Sequence, residues 1–326
     1  MRREFEVTFT AFDEEQPGEK WRSHFEASRE KWAAWLGSAS SPSRPSATGC
    51  REAIATHMPE LLESHDRRVA LFDGDPAVAQ HVSYWGGPPL FSGCSVLALP
   101  GPPATLLRSY DFTKAFFDAL ICRTKWTGKR VLAMCEGAGG CNDGINEDGL
   151  AAALTFGGRF AHGLGFAVPM LVRYVLETCA TVGQAVTALQ RLPSAGVQNI
   201  ILQDRSGASA VVYLRPDGPS GVSYEPMVTN HQEIPPPTGG DSSQSATRKA
   251  CLARLRNDPP DKAFQAFMDP PLHHADFSRW FGTLYTARYE PGSGRASYHW
   301  KAGAWEQSMD RFEEGRRAVR FTEETV

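Results

Sequence analysis

The order of the predicted secondary structure limits which folds this chain can adopt. Short apolar or alternating runs, bounded by turn residues, are typical of β-strands, and here they occur in groups before and after two apolar helices. Strands are predicted at 94–99, 105–112, 130–135, 150–156, 199–203, 208–214, 283–289 and 295–300, helices at 167–179, 183–192 and 246–256, and a proline- and glycine-rich loop at 235–243. Strands that come in runs favour sheets layered against helices, with antiparallel hairpins, over a doubly wound parallel sheet.

The N-terminal part has a different pattern. Apolar and polar residues alternate over 5–10, as in a half-buried strand, and aromatic residues then recur at helical spacing over 21–36. The segment 37–49 is rich in serine, proline and other small residues, which predicts an exposed connector. A short helix is expected at 51–64, entered or kinked at Pro59.

Composition and charge exclude several classes of function. The chain has 326 residues, enough to bury a large core, and a formal net charge of -3. Charges of both signs are mixed along it, so neither nucleic acid nor a membrane surface is an expected partner. Charged residues stand where a secretory signal needs an apolar run, which predicts a cytoplasmic protein. The seven cysteines, an odd number, predict free thiols rather than a disulfide scaffold.

Four short segments carry side chains suited to nucleophilic catalysis. Their sequences are FSGCSVL (91–97), RSYDF (108–112), NDGINEDGL (142–150) and TNHQ (229–232). The first places Cys94 at the start of a strand directly after Gly93, and the third is expected to be a polar turn that enters a strand. A lone cysteine is more often a small buried apolar residue. Because the other three segments are also present, we interpret Cys94 as a nucleophile instead.

A cysteine at a chain terminus can supply both nucleophile and base. A thiol has a pKa of about 8.5 and is a good nucleophile only as the thiolate. If the peptide bond before Cys94 is cut, the α-amine of that residue, with an ordinary pKa of about 7.7–8.0, becomes available as a general base. Such a site needs no catalytic histidine, metal or organic cofactor.

The order and spacing of these motifs resemble the cysteine N-terminal-nucleophile hydrolases, and within them the penicillin acyl-CoA acyltransferases and their bacterial relatives. Choloylglycine hydrolases and penicillin V acylases are more distantly similar. The resemblance covers roughly residues 58–289 and also rests on LTFGGR (154–159), GFAVPMLVRYVLET (165–178) and NIILQDRSG (199–207). It implies an α+β fold, the four-layer αββα sandwich of the N-terminal-nucleophile hydrolases.

The resemblance also implies roles for individual residues. Cys94 matches the nucleophile, released by self-cleavage after Gly93, and Arg108 matches an arginine that stabilises the thiolate. Asp111 matches an aspartate that holds the α-amine and the nucleophile, although an ideal strand puts it on the opposite face from Arg108. Asn230 matches an asparagine whose side-chain amide donates to the tetrahedral oxyanion.

Further residues follow from the same resemblance. A backbone N–H of Thr155 or Phe156, in the strand after NEDGL, is the expected second oxyanion donor. Arg248, in SSQSATR, matches an arginine that closes the site. The chain departs from the family pattern at Ser95, where threonine is frequent, and at Ser109, where asparagine is usual. These departures concern the substrate and the efficiency of cleavage more than the fold.

The implied enzyme consists of two segments of one domain. Residues 1–93 are expected to form a pro-segment, the α-subunit, that stays bound after self-cleavage, and 94–326 the catalytic β-subunit; residues 1–45 match nothing in the family. The Cys94 thiolate is expected to attack a small-molecule linear, non-peptide amide or thioester, and water or an amine then takes the acyl group. A homo-oligomer is compatible with this interpretation.

Two other hypotheses remain open. A papain-like cysteine hydrolase would pair a cysteine with a distant histidine such as His231 and would need no chain cleavage. A non-catalytic, uncleaved member of the fold would act as a small-molecule binding protein. Cys135 and Cys141 flank a glycine-rich turn, but they lack further ligands at metal-binding spacing, so a structural role is expected for both.

Overall fold

The computed structural model describes residues 3–37, 45–88, 91, 93–232, 244–277 and 282–323. Most of the connector predicted at 37–49, and the whole loop predicted at 235–243, lie outside these residues. The strands are β1 (Arg3–Glu14), β2 (Gly93–Leu99), β3 (Thr105–Phe112), β4 (Leu120–Thr124), β5 (Val131–Cys135), β6 (Cys141–Asn146), β7 (Ala151–Phe156), β8 (Gln198–Gln203), β9 (Ser209–Leu214), β10 (Gly221–Ser223), β11 (Met227–Val228), β12 (Gly282–Glu290), β13 (Arg295–Trp300), β14 (Gly303–Ser308) and β15 (Gly315–Glu323).

These strands form two sheets. The larger has nine strands in the order β10-β9-β8-β7-β6-β5-β4-β1-β15, and its neighbours are antiparallel except for β1 beside β4. The smaller has six strands in the order β11-β2-β3-β12-β13-β14, all antiparallel. Strand β2 packs against β7 and β8 of the larger sheet, so the two sheets lie face to face.

Helices cover the outer faces of both sheets. They are α1 (Glu19–Gly37), α2 (Ala47–His57), α3 (Leu62–Ala70), α4 (Pro76–Ser83), α5 (Val168–Thr178), α6 (Val182–Arg191), α7 (Ser245–Leu255) and α8 (Pro260–Phe267). Helices α5 and α6 pack on strands of the larger sheet, and α7 and α8 pack on β2 and β3 of the smaller one. The result is four layers, helix on sheet on sheet on helix, which confirms the predicted fold class.

The two faces of β2 bury their side chains in different layers. Cys94, Val96 and Ala98 belong to the large core between the sheets, whereas Leu97 and Leu99 pack into a smaller core under α7 and α8. This is the two-residue alternation of a strand buried on both sides. It places the Cys94 side chain between the sheets.

The strands predicted over 94–300 are confirmed to within a residue at each end, and one turn prediction is wrong. Residues 142–146, predicted as a polar turn, belong to strand β6, and the turn is confined to 147–149. The kink predicted at Pro59 in the 51–64 helix is confirmed, because Pro59 starts a short 3-10 helix between α2 and α3. Among the described residues, no helix has the length and apolar character needed to span a bilayer.

Candidate active site

Cys94 is fully buried near the start of β2, and a guanidinium reaches its sulfur. Arg108, on the adjacent strand β3, donates from Nη2 to the Cys94 Sγ atom at 3.4 Å. Arg108 pairs in register with Val96, so its side chain and that of Cys94 share the face between the sheets. A fixed cation in this position stabilises a thiolate over a thiol.

The charge of Arg108 is balanced by a buried carboxylate. Its Nη1 atom lies 2.8 Å from Asp143 Oδ2, and it also donates to the Asn142 carbonyl at 2.6 Å. Burial alone would lower the pKa of Arg108, but Asp143 and the other electronegative groups around it outweigh that effect and raise it. Arg108 therefore remains a cation at any physiological pH.

Asp143 is itself held by two tyrosines of β12. Tyr285 donates to its Oδ2 atom at 2.5 Å, and the Tyr289 hydroxyl donates to Oδ1. Burial raises the pKa of Asp143, and the arginine and both hydroxyls oppose the rise. The ion pair with Arg108 is thus desolvated and hydrogen-bonded on several sides, which is the condition for a buried pair to persist.

Asp111 approaches the nucleophile from the other side of β3. It is the register partner of Gly93, and a Cβ atom on Gly93 would lie 3.1 Å from the Asp111 Cβ and 3.4 Å from its Oδ2. Thr283 donates to Asp111 Oδ1 at 2.6 Å. Burial raises the pKa of Asp111. The carboxylate therefore lies beside the peptide bond before Cys94, not beside the thiol.

Asn230 and Arg248 meet the backbone of Cys94. The Cys94 N–H donates to Asn230 Oδ1 at 2.8 Å, and Arg248 donates to the same Oδ1 and to the Cys94 carbonyl. Because both neighbours are donors, the amide oxygen of Asn230 must face them. Arg248 also donates to Ser95 Oγ at 2.8 Å. The serine that departs from the family pattern therefore contacts the arginine predicted to close the site.

The loop after β7 lies against the Asn230 segment. Thr155 donates through Oγ1 to the Thr229 carbonyl at 2.8 Å. Gly158 has a φ of +88°, and a Cβ atom there would lie 2.7 Å from the Asn230 carbonyl oxygen. The segment LTFGGR (154–159) and the fourth motif thus meet in space, with the predicted donor residues Thr155 and Phe156 at their junction.

An aromatic cluster holds the chain that precedes the nucleophile. The ring of Phe91 lies 5.3 Å from that of Phe156 and 4.5 Å from that of Phe160, centroid to centroid. Phe160 is otherwise 74 % exposed, an unusual state for a large apolar side chain. The Phe91 ring therefore lies against the end of β7, where the predicted oxyanion donor Phe156 is found.

Sequence reasoning missed Asp143, its tyrosines and the residues around Asp111. Asp143 was assigned to a turn, yet it lies in the middle of a strand whose residues are all buried. The available signal was Arg108 itself, because an arginine in an apolar strand needs a buried acceptor. Which acid would supply it depends on sheet order, which the sequence alone does not reveal.

The alternative candidates have other local partners. His231 Nδ1 lies 2.7 Å from Ser245 Oγ and 3.3 Å from Thr229 Oγ1. Cys135 and Cys141 are register partners on β5 and β6, and burial raises the pKa of both thiols. Within the described part of the chain, no group of three or more histidine, cysteine or acidic side chains is arranged to hold a metal ion.

Comparison with known proteins identifies a family whose model matches this chain. The model of the acyl-coenzyme A:6-aminopenicillanic acid acyl-transferase family matches residues 100–305. The match contains Arg108, Asp111, Asn230 and Arg248 and begins after Cys94. No curated protein sequence matches the chain.

Solved structures share the fold at low sequence identity. A crystal structure of a mutant conjugated bile acid hydrolase from Clostridium perfringens is 13% identical, with a TM-score of 0.51 over 70% of this chain and 96% of that one. A second variant of the same enzyme is 14% identical, with a TM-score of 0.50 over 70% and 97%. Penicillin V acylase from Agrobacterium tumefaciens is 15% identical, with a TM-score of 0.42 over 70% and 82%. The two hydrolase structures support the N-terminal-nucleophile hydrolase fold.

Proposed function

Because the chain belongs to the acyl-coenzyme A:6-aminopenicillanic acid acyl-transferase family, we propose that it cuts itself before Cys94 and then acts through that thiol. The chain is an enzyme, either an acyltransferase or a hydrolase of C–N bonds other than peptide bonds. The proposal concerns how it reaches its active form and which atoms react.

Self-cleavage would proceed through a thioester. The Cys94 thiolate attacks the Gly93 carbonyl carbon, an S–C bond forms, and the C–N bond between the two residues breaks. The departing nitrogen takes a proton and becomes the α-amine of Cys94. Water then hydrolyses the thioester, which leaves a carboxylate on Gly93 and a free thiol on Cys94.

The contacts of Cys94 support this sequence. Arg108 provides a cation at the sulfur, so the thiolate needed for attack is stabilised. Asn230 Oδ1 already accepts from the Cys94 nitrogen, and Arg248 fixes Asn230, so the amine that forms keeps its acceptor.

Substrate turnover would repeat the same chemistry on a small molecule. The thiolate attacks the carbonyl of a linear amide or thioester, and the leaving amine or thiol takes a proton from the α-ammonium of Cys94. Water or an acceptor amine then resolves the acyl-enzyme. Oxyanion donors would come from the Asn230 side-chain amide and the Thr155 or Phe156 backbone; one such donor contributes about 3–4 kcal/mol.

The observation that carries the proposal is the convergence on one residue. Arg108 from β3, Asn230 after β11 and Arg248 from α7 all donate to or accept from Cys94 atoms. Three separate elements have no structural need to meet at an ordinary core cysteine, whose sulfur forms only weak hydrogen bonds.

Intact mass spectrometry tests the proposal. Wild-type protein is expected as fragments of 93 and 233 residues, and Cys94→Ala as the whole chain of 326 residues. Cys251→Ala, which removes a half-buried thiol on α7, is the matched control and is expected to cleave like wild type. An intact wild-type chain that no acylating probe labels at Cys94 would contradict the proposal and favour an uncleaved binding protein.

A further inference from the structure

The carboxylate beside the scissile bond has a second set of contacts on its outer side. Asp111 Oδ2, which faces Gly93, accepts no hydrogen bond from the described residues. The His274 imidazole lies beside it, with Nε2 3.8 Å from that oxygen. An opposite charge at this separation favours the ionised carboxylate.

His274 also orders the other oxygen of Asp111. Its backbone N–H donates to Thr283 Oγ1 at 2.8 Å, and its carbonyl accepts from the Thr283 N–H at 2.8 Å. Thr283 in turn donates to Asp111 Oδ1 at 2.6 Å. One residue therefore reaches both carboxylate oxygens, one through its ring and the other through Thr283.

A cavity of 760 Å³ connects this arrangement with solvent. His274 and Thr283 both line it, and the His274 side chain is 25% exposed. The charged and titratable groups around the cavity and the carboxylate are His273, Asp276, Tyr285, His299, Lys301, Arg320, Arg108 and Arg248. Protons can thus reach His274 from outside while Asp111 stays buried.

We propose that His274 is a positioning residue that keeps Asp111 ionised against the Gly93–Cys94 bond, and so sets the acid limit of self-cleavage. The inference rests on the proposed function. The ionised carboxylate is the form that can receive the ammonium released when the C–N bond breaks. A protonated Asp111 cannot do so, and cleavage slows.

The direction of the pH effect follows from the charges. Burial raises the pKa of Asp111, and His274, Arg248, Thr283 and Arg108 oppose that rise. A histidine is cationic in mildly acidic solution, which is where a carboxylate of raised pKa needs a counter-charge. Loss of the imidazolium raises the pKa of Asp111 further, so the acid limb of the cleavage profile moves to higher pH.

His274→Gln tests this, because glutamine keeps polarity and size but no charge. Precursor made by brief cell-free translation is shifted to pH of about 5 or about 8, and cleavage is followed by intact mass. We expect cleavage on the order of tenfold slower than wild type at the lower pH and within about twofold at the higher, because removal of a nearby opposite charge disfavours the ionised carboxylate. Only chains that are still uncut at the shift enter the rate.

His273→Gln is the matched control in the same cavity. Burial lowers the pKa of His273 to about 4, so its ring is already neutral at both pH values and the profile is expected to match wild type. An equal change for His274→Gln at both pH values, or none at either, would overturn the inference. If wild type itself never cleaves, the proposed function fails together with the inference. If wild type cleaves and only the His274→Gln profile is not the expected one, the inference alone fails.

Discussion

At the residue scale, the site is organised by arginines buried in a largely apolar interior. Arg108 and Arg248 are fully buried, and each donates to an atom of the nucleophile, Arg108 to its sulfur and Arg248 to its carbonyl. Arg108 requires a carboxylate because an uncompensated buried charge is costly, and Asp143 supplies it. The sequence predicted Arg108, Asp111, Asn230 and Arg248 as site residues. It did not predict the ion pair between Arg108 and Asp143.

Breaking the ion pair is expected to destabilise the fold. Asp143→Asn keeps the shape of the side chain but leaves the Arg108 charge uncompensated, which costs about 3 kcal/mol of unfolding free energy. Urea unfolding followed by circular dichroism measures this. Asp66→Asn is the matched control: its pair with Arg51 is 40% and 52% exposed, so a loss below about 1 kcal/mol is expected. Equal losses of unfolding free energy in the two variants would show that burial does not determine the cost of breaking an ion pair.

At the element scale, glycines allow the motif-bearing loops to touch. Gly158 brings the loop after β7 against Asn230, and Gly139, with a φ of +102°, leaves no room for a Cβ atom beside Trp126 and Arg68. Gly140 likewise packs under Tyr84, which accepts its N–H at 2.9 Å. The glycine-rich turn between β5 and β6 is therefore a contact surface for the N-terminal helices.

Gly158→Ala is expected to weaken both stability and self-cleavage. Its positive φ disfavours alanine, and the new methyl group would displace the Asn230 carbonyl, so about 2–3 kcal/mol is lost. Gly183→Ala on α6 is the control, because nothing lies within 4 Å of its Cβ position and helix propensity favours alanine by up to about 1 kcal/mol. Melting temperatures and intact masses report both effects. A Gly158→Ala protein as stable as wild type would contradict the packing argument.

Individual strands show which parts of the fold can be predicted from sequence patterns and which cannot. Strand β2 was predicted to within a residue, because burial on both faces leaves a nearly continuous run of apolar and small residues. Strand β6 was missed because Asn142, Asp143 and Asn146 look like turn residues. Two of these side chains have partners inside the core: Asp143 pairs with Arg108, and Asn146 donates to carbonyls of α5 and of the residue after it. A polar residue with a tertiary partner cannot be recognised from its neighbours in sequence.

At the scale of the whole molecule, the residues before Cys94 are part of the catalytic domain rather than a cover over it. Strand β1 lies inside the larger sheet, between β4 and β15. Trp32 of α1 donates to the buried Asp118 at 2.7 Å, and Arg68 of α3 donates to the Ala138 carbonyl at 2.9 Å. These contacts cross the proposed cleavage point, so the cut would break one covalent bond and leave both sheets hydrogen-bonded.

The two fragments are therefore expected to remain together after cleavage. Separation would open both edges of β1 and expose Phe9, Trp21, Phe25 and Trp32, each at most 3% exposed now, at about 1.5–3 kcal/mol per side chain. Native size-exclusion chromatography should give one species at the size of the uncut protein, and a denaturing concentration of guanidinium chloride should resolve that species into two chains. Uncut Cys94→Ala protein serves as the size reference. Elution of the 93-residue fragment by itself under native conditions would contradict the role assigned to β1.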